Sequence, residues 1–236
     1  MRRCTSALAC EIFELWDDMK LEKLRLIREE RPRSAAENMA VDETLFLTAN
    51  CPVLRFYRWI RPAVSFGYFT SWKEVALRFS ERDLVRRWTG GGIVEHGQDL
   101  TYSLVCPNAA SLPTTIEFYR FVHLAIANIL QKSGCPVEIA QLAEPIRSSA
   151  CFEKAVQFDL KLRGEKIAGA AIRRNRKGLL LQGSIQRLEV PVQFGVMLAD
   201  ALGDQVDSFV VSDLIMEQAA HIAKEKYGAA EWNCRR

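Results

Sequence analysis

Apolar positions along the chain recur at helical spacing in some stretches and alternate like strands in others. From Ala35 to Ala49 the apolar side carries Met39, Val41, Leu45 and Leu47, while Glu37, Asp42 and Glu43 are polar. Ser34 stands three residues before Glu37 and fits a capping box, so a helix is predicted to start there. Thr114 to Lys132 gives the clearest helix. Thr114 and Glu117 make a second capping box, Ile116, Tyr119, Val122, Ile126 and Ile129 share one side, and Gly134 and Pro136 stop it. Val192 to Leu202 and Ser212 to Tyr227 predict closing helices. Val53 to Trp59 is rich in β-branched and aromatic residues and predicts a strand. Pro62 interrupts it, and strands are predicted again over Ala63 to Tyr68, Leu84 to Trp88 and Leu100 to Val105. Phe158 to Leu162 and Lys166 to Arg173 flank Arg163-Gly164-Glu165 as a hairpin, and a second turn at Asn175 to Gly178 leads into Leu179 to Gln186. Hairpins with helices between and after them predict an α+β fold, a mostly antiparallel mixed sheet flanked by helices.

Charge changes this picture at the N-terminal side. Residues 17–34 hold Lys20, Glu22, Lys23, Arg25, Arg28, Glu29, Glu30, Arg31 and Arg33. Such density predicts a solvated segment or an exposed helix leading into the core. The expected organisation is a charged segment over 1–33 and one catalytic domain over 34–236. At 236 residues, 49% hydrophobic and 26% charged, the chain has an ordinary globular balance. Its net charge of 32 − 29 = +3 is too small for a dedicated nucleic-acid protein. No apolar run reaches the roughly 18 residues of a membrane span. After Met1-Arg2-Arg3, Glu11 and Glu14 come too soon for a signal-peptide core, so a soluble cytoplasmic protein is expected. The seven cysteines form no C-x-x-C pair and do not stand at zinc spacing with His96, His123 and His221, so no metal site is expected.

Three segments are candidates for chemistry. Arg86-Arg87-Trp88-Thr89-Gly90-Gly91-Gly92 places three glycines straight after a strand. They read as a tight turn, or as a backbone that an anion or carbonyl approaches closely. Neither a Walker A loop nor a dinucleotide-binding pattern fits. Lys166 stands in the small, apolar run Ile167-Ala168-Gly169-Ala170-Ala171. It reads as a solvated edge-strand lysine, or as a charge tuned by apolar walls where Gly169 and Ala171 leave room for a ligand. Cys151, in the polar loop Ser148-Ser149-Ala150-Cys151-Phe152, reads as an inert thiol or a loop nucleophile.

Taken in order, these segments resemble the biotin/lipoate A/B protein ligase family, of the lipoate–protein ligase A and cysteine-dependent octanoyltransferase type. The resemblance rests on Arg86-Arg87-x-Thr89-Gly90-Gly91-Gly92-x-Val94-x-His96, Leu100-x-Tyr102-Ser103, Cys151-Phe152 and Gly164-x-Lys166-Ile167-Ala168-Gly169-x-Ala171-x-Arg173. Asn38-Met39-Ala40-x-Asp42-Glu43 is similar to its opening helix, and Lys226-Tyr227-Gly228-x-x-Glu231-Trp232-Asn233 to its ending. The resemblance implies a domain related to class II aminoacyl-tRNA synthetases and biotin ligases. It implies an acyl site lined by Arg87, Thr89, Gly90, Gly91, Gly92, His96, Gly169 and Ala171, with Lys166 on the acyl carbonyl and Cys151 as acyl acceptor.

The activity implied is transfer of an octanoyl or lipoyl group to a lysine of a lipoyl carrier domain through a thioester on Cys151, with no cofactor. The partners implied are lipoyl domains of the 2-oxoacid dehydrogenase E2 or glycine cleavage H-protein type, with acyl carrier protein as a donor. Membranes and nucleic acids are not expected partners. The alternative is an ATP-dependent lipoate–protein ligase working through a lipoyl-adenylate with ATP and Mg²⁺. A third reading is a non-catalytic binding module, in which the basic run Arg173 to Lys177 would contact RNA or an acidic carrier protein. Two features bear on the choice. Leu180 to Ser184 lacks the histidine that many members carry there, and the chain runs to Arg236 without the accessory domain that many ATP-using ligases add. With Cys151, the second feature tilts the expectation to the transferase.

Overall fold

The structure, a computed structural model, describes residues 19–141 and 155–235. Eight strands form the main sheet: β1 (Leu21–Arg28), β2 (Val53–Tyr57), β6 (Leu100–Pro107), β7 (Glu138–Ile139), β8 (Leu160–Leu162), β9 (Glu165–Asn175), β10 (Gly178–Ile185) and β11 (Gly203–Ser208). Their order is β11-β1-β2-β6-β10-β9-β8-β7. The pairs β11/β1 and β1/β2 are parallel and the other five antiparallel. A smaller sheet, β4-β3-β5, is built from β3 (Ala63–Phe66), β4 (Asp83–Arg86) and β5 (Ile93–His96). The α+β expectation therefore stands, with a parallel corner that the hairpin pattern did not announce.

Helices cover both faces of the main sheet, so its central strands are buried on both sides. On one face, α3 (Thr115–Lys132) and α4 (Phe194–Leu202) pack Phe118, Phe121, Ile126 and Phe194 on Leu104, Leu179 and Leu181. On the other, α1 (Ala35–Thr48) and α5 (Asp213–Ile222) pack Met39, Leu45 and Ala219 on Tyr57, Val105 and Leu180. Strands β6 and β10 thus send alternate side chains to opposite cores. The small sheet has its own core, where Val64, Phe66 and Ile93 meet Val75 of α2 (Trp72–Arg78). Among the described residues, no helix is long and apolar enough to cross a membrane.

Both capping boxes form as predicted. Ser34 and Glu37 close the start of α1, and Thr114 and Glu117 that of α3. Two expectations need correction. The charged stretch 17–34 is neither a solvated lead-in nor an exposed helix where it is described, because Leu21–Arg28 is an interior strand of the sheet. Leu24, Leu26 and Ile27 are buried, while Lys20 and Lys23 turn outward to Asp204 and Asp207 across from β11. The second correction concerns Asp42 and Glu43, expected on the polar side of α1. Both are buried, Asp42 completely. Arg55 of β2, itself wholly buried, donates to Asp42 Oδ1 at 2.7 Å, to Glu29 Oε2 at 2.9 Å and to Asn38 Oδ1 at 2.9 Å. Glu43 accepts from Lys226 Nζ at 2.6 Å and from the Tyr227 hydroxyl at 2.6 Å, fixing α1 to the C-terminal region.

Inside the sheet's other core, His123 of α3 lies edge-on to Tyr119 with ring centroids 4.1 Å apart. Neither of its ring nitrogens has a hydrogen-bond partner among the described residues. Burial, aided by the Lys166 charge, pushes this imidazole from an ordinary 6.5 down to about 3. Below pH 6.5 the unfolded chain therefore takes up a proton that the folded chain refuses. Its contribution to stability is intact above pH 6.5 and is lost as pH falls toward 3, with a slope of up to about 1.4 kcal/mol per pH unit. His123→Phe is expected to flatten that slope in urea melts between pH 4 and 6.5. An unchanged slope would show that the ring is not buried neutral.

Candidate active site

Strand β4 ends at Arg86, and Arg87 follows it; the two arginines build the glycine loop from opposite sides. Arg86 is fully buried, and its guanidinium donates to the carbonyls of Tyr68 (2.9 Å), Thr70 (2.7 Å) and Asn233 (2.8 Å). Its backbone N–H donates to Asn233 Oδ1 at 2.8 Å, and the Trp232 indole donates to its carbonyl at 2.8 Å. The Trp232-Asn233 pair at the C-terminal side is thus a clamp on the loop. Arg87 turns the other way. Its guanidinium donates to the Gly90 carbonyl at 3.0 Å, to the Gly92 carbonyl at 2.9 Å and to Ser65 Oγ at 2.8 Å.

Glycine is required here by contact and by backbone angle. A Cβ on Gly67 would collide with the Gly91 carbonyl, and Gly91 itself has φ +83°, which an L side chain rarely adopts. Thr89 Oγ donates to Gln182 Oε1 at 2.8 Å, and the Gln182 amide donates to Asp42 at 2.7 Å. Gln182 stands in the stretch that lacks the family's histidine. It ties the loop to β10 and, through Asp42, to the Arg55 network.

His96, at the end of β5, is stacked on Trp59 at 4.1 Å between ring centroids. Its Nδ1 is 2.8 Å from Asp99 Oδ2 and its Nε2 is 2.6 Å from Ser65 Oγ. The Asp99 carboxylate also accepts from the Thr101 and Ser184 hydroxyls, at 2.8 and 2.6 Å, and from the Gly97 N–H at 3.1 Å. Burial alone would raise its pKa, but His96 and these hydroxyls hold it down at about 2. An ionised carboxylate only accepts, so Nδ1 carries the hydrogen.

Lys166 on β9 is buried, not a solvated edge lysine. Its Nζ lies 2.7 Å from Asp159 Oδ2, with both side chains almost closed to solvent. The same carboxylate accepts the Tyr119 hydroxyl on its other oxygen and the Val156 N–H at 2.6 Å. Burial pushes the Asp159 carboxyl up, and Lys166 and Tyr119 offset only part of that. A Cβ on Gly169 would sit 2.6 Å from Lys166 Cε, so this glycine is what gives the lysine its place.

One cleft collects these groups. Arg87, His96, Lys166, Gly169 and Ala171, all expected from sequence, line it. Thr89, Gly90, Gly91 and Gly92 are not on its wall, but they are joined to it through Arg87 and Gln182. Cys151 lies outside the described residues. Met39, Trp59 and Val94 supply an apolar wall, and Ser65, Gln182 and Ser184 supply polar groups that the sequence pattern did not mark. Asp99, three residues after His96, had a spacing signal. Asp159 had none, because an acid at the start of a strand is commonplace. Among the described residues, no group of three or more His, Cys, Asp or Glu side chains could hold a metal ion.

Residues 34–187 match the lipoyl protein ligase A/B catalytic domain model. The chain is 31% identical to an octanoyltransferase LipM of Symbiobacterium thermophilum, over 86% of this chain and 96% of that protein. It is 37% identical to an octanoyltransferase LipM of Exiguobacterium sp., over 64% of this chain and 62% of that protein, so this second match spans less than two thirds of its relative. Its fold resembles that of a bi-partite lipoate protein ligase from Thermoplasma acidophilum, with a TM-score of 0.66 at 21% identity, over 91% of this chain and 96% of that one. With the family model matched over more than half of its length, from the cap of α1 through β10, the chain belongs to the lipoyl protein ligase A/B catalytic domain family.

Proposed function

We propose that this chain is an acyltransferase that moves an octanoyl or lipoyl group from a carrier thioester to the lysine of a lipoyl domain, by way of a thioester on Cys151. The observation that carries this reading is the cleft itself. It joins an apolar wall to a buried, ion-paired Lys166 ammonium beside the arginine-held glycine loop. The names of the relatives support octanoyl as the group moved.

The chemistry balances in two steps. Cys151 gives up its thiol proton and the thiolate adds to the donor's thioester carbonyl; the new C–S bond forms as the old one breaks, and the departing donor thiolate takes up that proton. The neutral amine of the acceptor lysine then attacks the Cys151 thioester, an amide forms, and the thiol is returned. Lys166, aimed by Asp159, donates a hydrogen bond to the carbonyl oxygen as negative charge gathers there in both steps. Met39, Trp59 and Val94 take the alkyl chain out of water. Lipoyl domains of the E2 or H-protein type are the acceptors and acyl carrier protein the donor. ATP and Mg²⁺ have no part in either step.

The test is intact mass after incubation with octanoyl-acyl carrier protein. Wild type is expected to gain one octanoyl group that hydroxylamine removes, and Cys151→Ser to gain no thioester. Acceptor modification that requires lipoate and ATP and survives Cys151→Ser would replace this reading with the ATP-dependent ligase.

A further inference from the structure

Three side chains on the cleft wall stand in the order nucleophile, base, orienting acid. Ser65 Oγ is 2.6 Å from His96 Nε2, and His96 Nδ1 is 2.8 Å from Asp99 Oδ2. Both distances are those of a working hydrogen-bonded triad. The acid is locked by Thr101, Ser184 and the Gly97 N–H, and the imidazole plane by its stack on Trp59. Ser65 and His96 both line the cleft that holds Lys166. The Arg87 guanidinium donates to the same Ser65 oxygen at 2.8 Å, and a cation on that oxygen favours loss of its proton. An arrangement needed only to brace the glycine loop would require Arg87 but not a base on the serine's far side. We propose that Ser65 is a second acyl acceptor in this cleft, with His96 as its base and Asp99 as the orienting acid. The activity inferred is slow hydrolysis of medium-chain esters and thioesters.

The step balances without any further reagent but water. Ser65 Oγ adds to the carbonyl carbon while His96 Nε2 takes its proton. The bond to the leaving thiol or alcohol breaks, and that group receives the proton from His96. Water then adds to the acyl-serine, again giving a proton to His96, which returns it to Ser65 Oγ as the fatty acid leaves. This inference rests on the reading that the cleft admits an acyl chain, but not on Cys151.

The experiment uses the Cys151→Ala protein, so that any covalent adduct is read without the thiol. It is treated with an alkyl fluorophosphonate, and the labelled residue is located by peptide mass spectrometry. Hydrolysis of 4-nitrophenyl octanoate is followed in parallel. The expected result is phosphonylation of Ser65, and hydrolysis that falls at least ~10²-fold on adding Ser65→Ala. Label on another residue, no label, or hydrolysis indifferent to Ser65→Ala would overturn the proposal. Mapping the label needs no Ser65 variant, so misfolding of Ser65→Ala cannot imitate success. Octanoyl transfer by the wild type, measured alongside, separates the two readings: Ser65 labelling without Cys151 acylation sinks only the transferase, and the reverse sinks only this inference.

Discussion

Lys166→Met is expected to lower octanoyl transfer by about 10²–10⁴-fold, the range for removing one positioned proton donor or oxyanion partner. The variant keeps an unbranched side chain one atom shorter than lysine and removes its charge and donors. It also leaves Asp159 buried without a counter-ion, and breaking such a pair costs about 3–5 kcal/mol where the remaining charge has no escape. Asp159 has one, because burial already favours its protonated form. The stability loss should therefore fall at or below the lower end of that range, and the variant should stay folded at room temperature. Lys166→Arg is not a gentle alternative, since the lysine already packs so closely on Gly169 that a Cβ there would clash, and a planar guanidinium does not replace a point-like ammonium. Acceptor-domain mass measures the transfer and a urea melt measures the fold. Transfer within threefold of wild type would remove Lys166 from the reaction.

Arg55→Met is expected to produce the largest loss of stability, about 3–5 kcal/mol. Arg55 is wholly buried between β2 and α1 and is bonded to both Asp42 and Glu29. Removing it leaves two carboxylates in the interior. Glu29 is now held below the usual carboxylate range: burial opposes this, but Arg55 and Arg33 outweigh burial. Its share of stability is present above the ordinary carboxylate pKa and is lost as pH falls below it. The Arg55→Met protein should accordingly lose that part of its acid sensitivity. Adding Asp42→Asn should recover some of the loss, but not all, because Asp42 also accepts from Ser103, Tyr57 and Gln182. Urea midpoints of the single and double variants at pH 7 give the coupling. A loss under about 1 kcal/mol would mean that the cluster relaxes or takes in water.

Much of the frame was legible because local chemistry and tertiary structure agree there. The capping boxes at Ser34 and Thr114 start their helices, and Arg163-Gly164 turns its hairpin, with both residues at positive φ. What escaped reading depends on partners far along the chain. The charges of β1 looked like those of a solvated segment because the acids that answer them, Asp204 and Asp207, come some 180 residues later. Asp42 looked like the polar side of a helix because its cation lies on a strand. The same holds in the site. The glycine run and Lys166 carry their own signal, whereas Ser65 is one more small residue in a strand until His96 and Asp99 are folded against it.

The clamp on Arg86 also sets a timetable. Its acceptor Asn233 is 147 residues downstream. At ribosomal speeds of about 5–20 residues per second, the nascent loop waits on the order of ten seconds for that partner. During that interval a guanidinium destined for full burial has only part of its final set of carbonyls, and the glycine loop lacks its anchor. The glycine loop therefore gains its anchor long after its own residues are made.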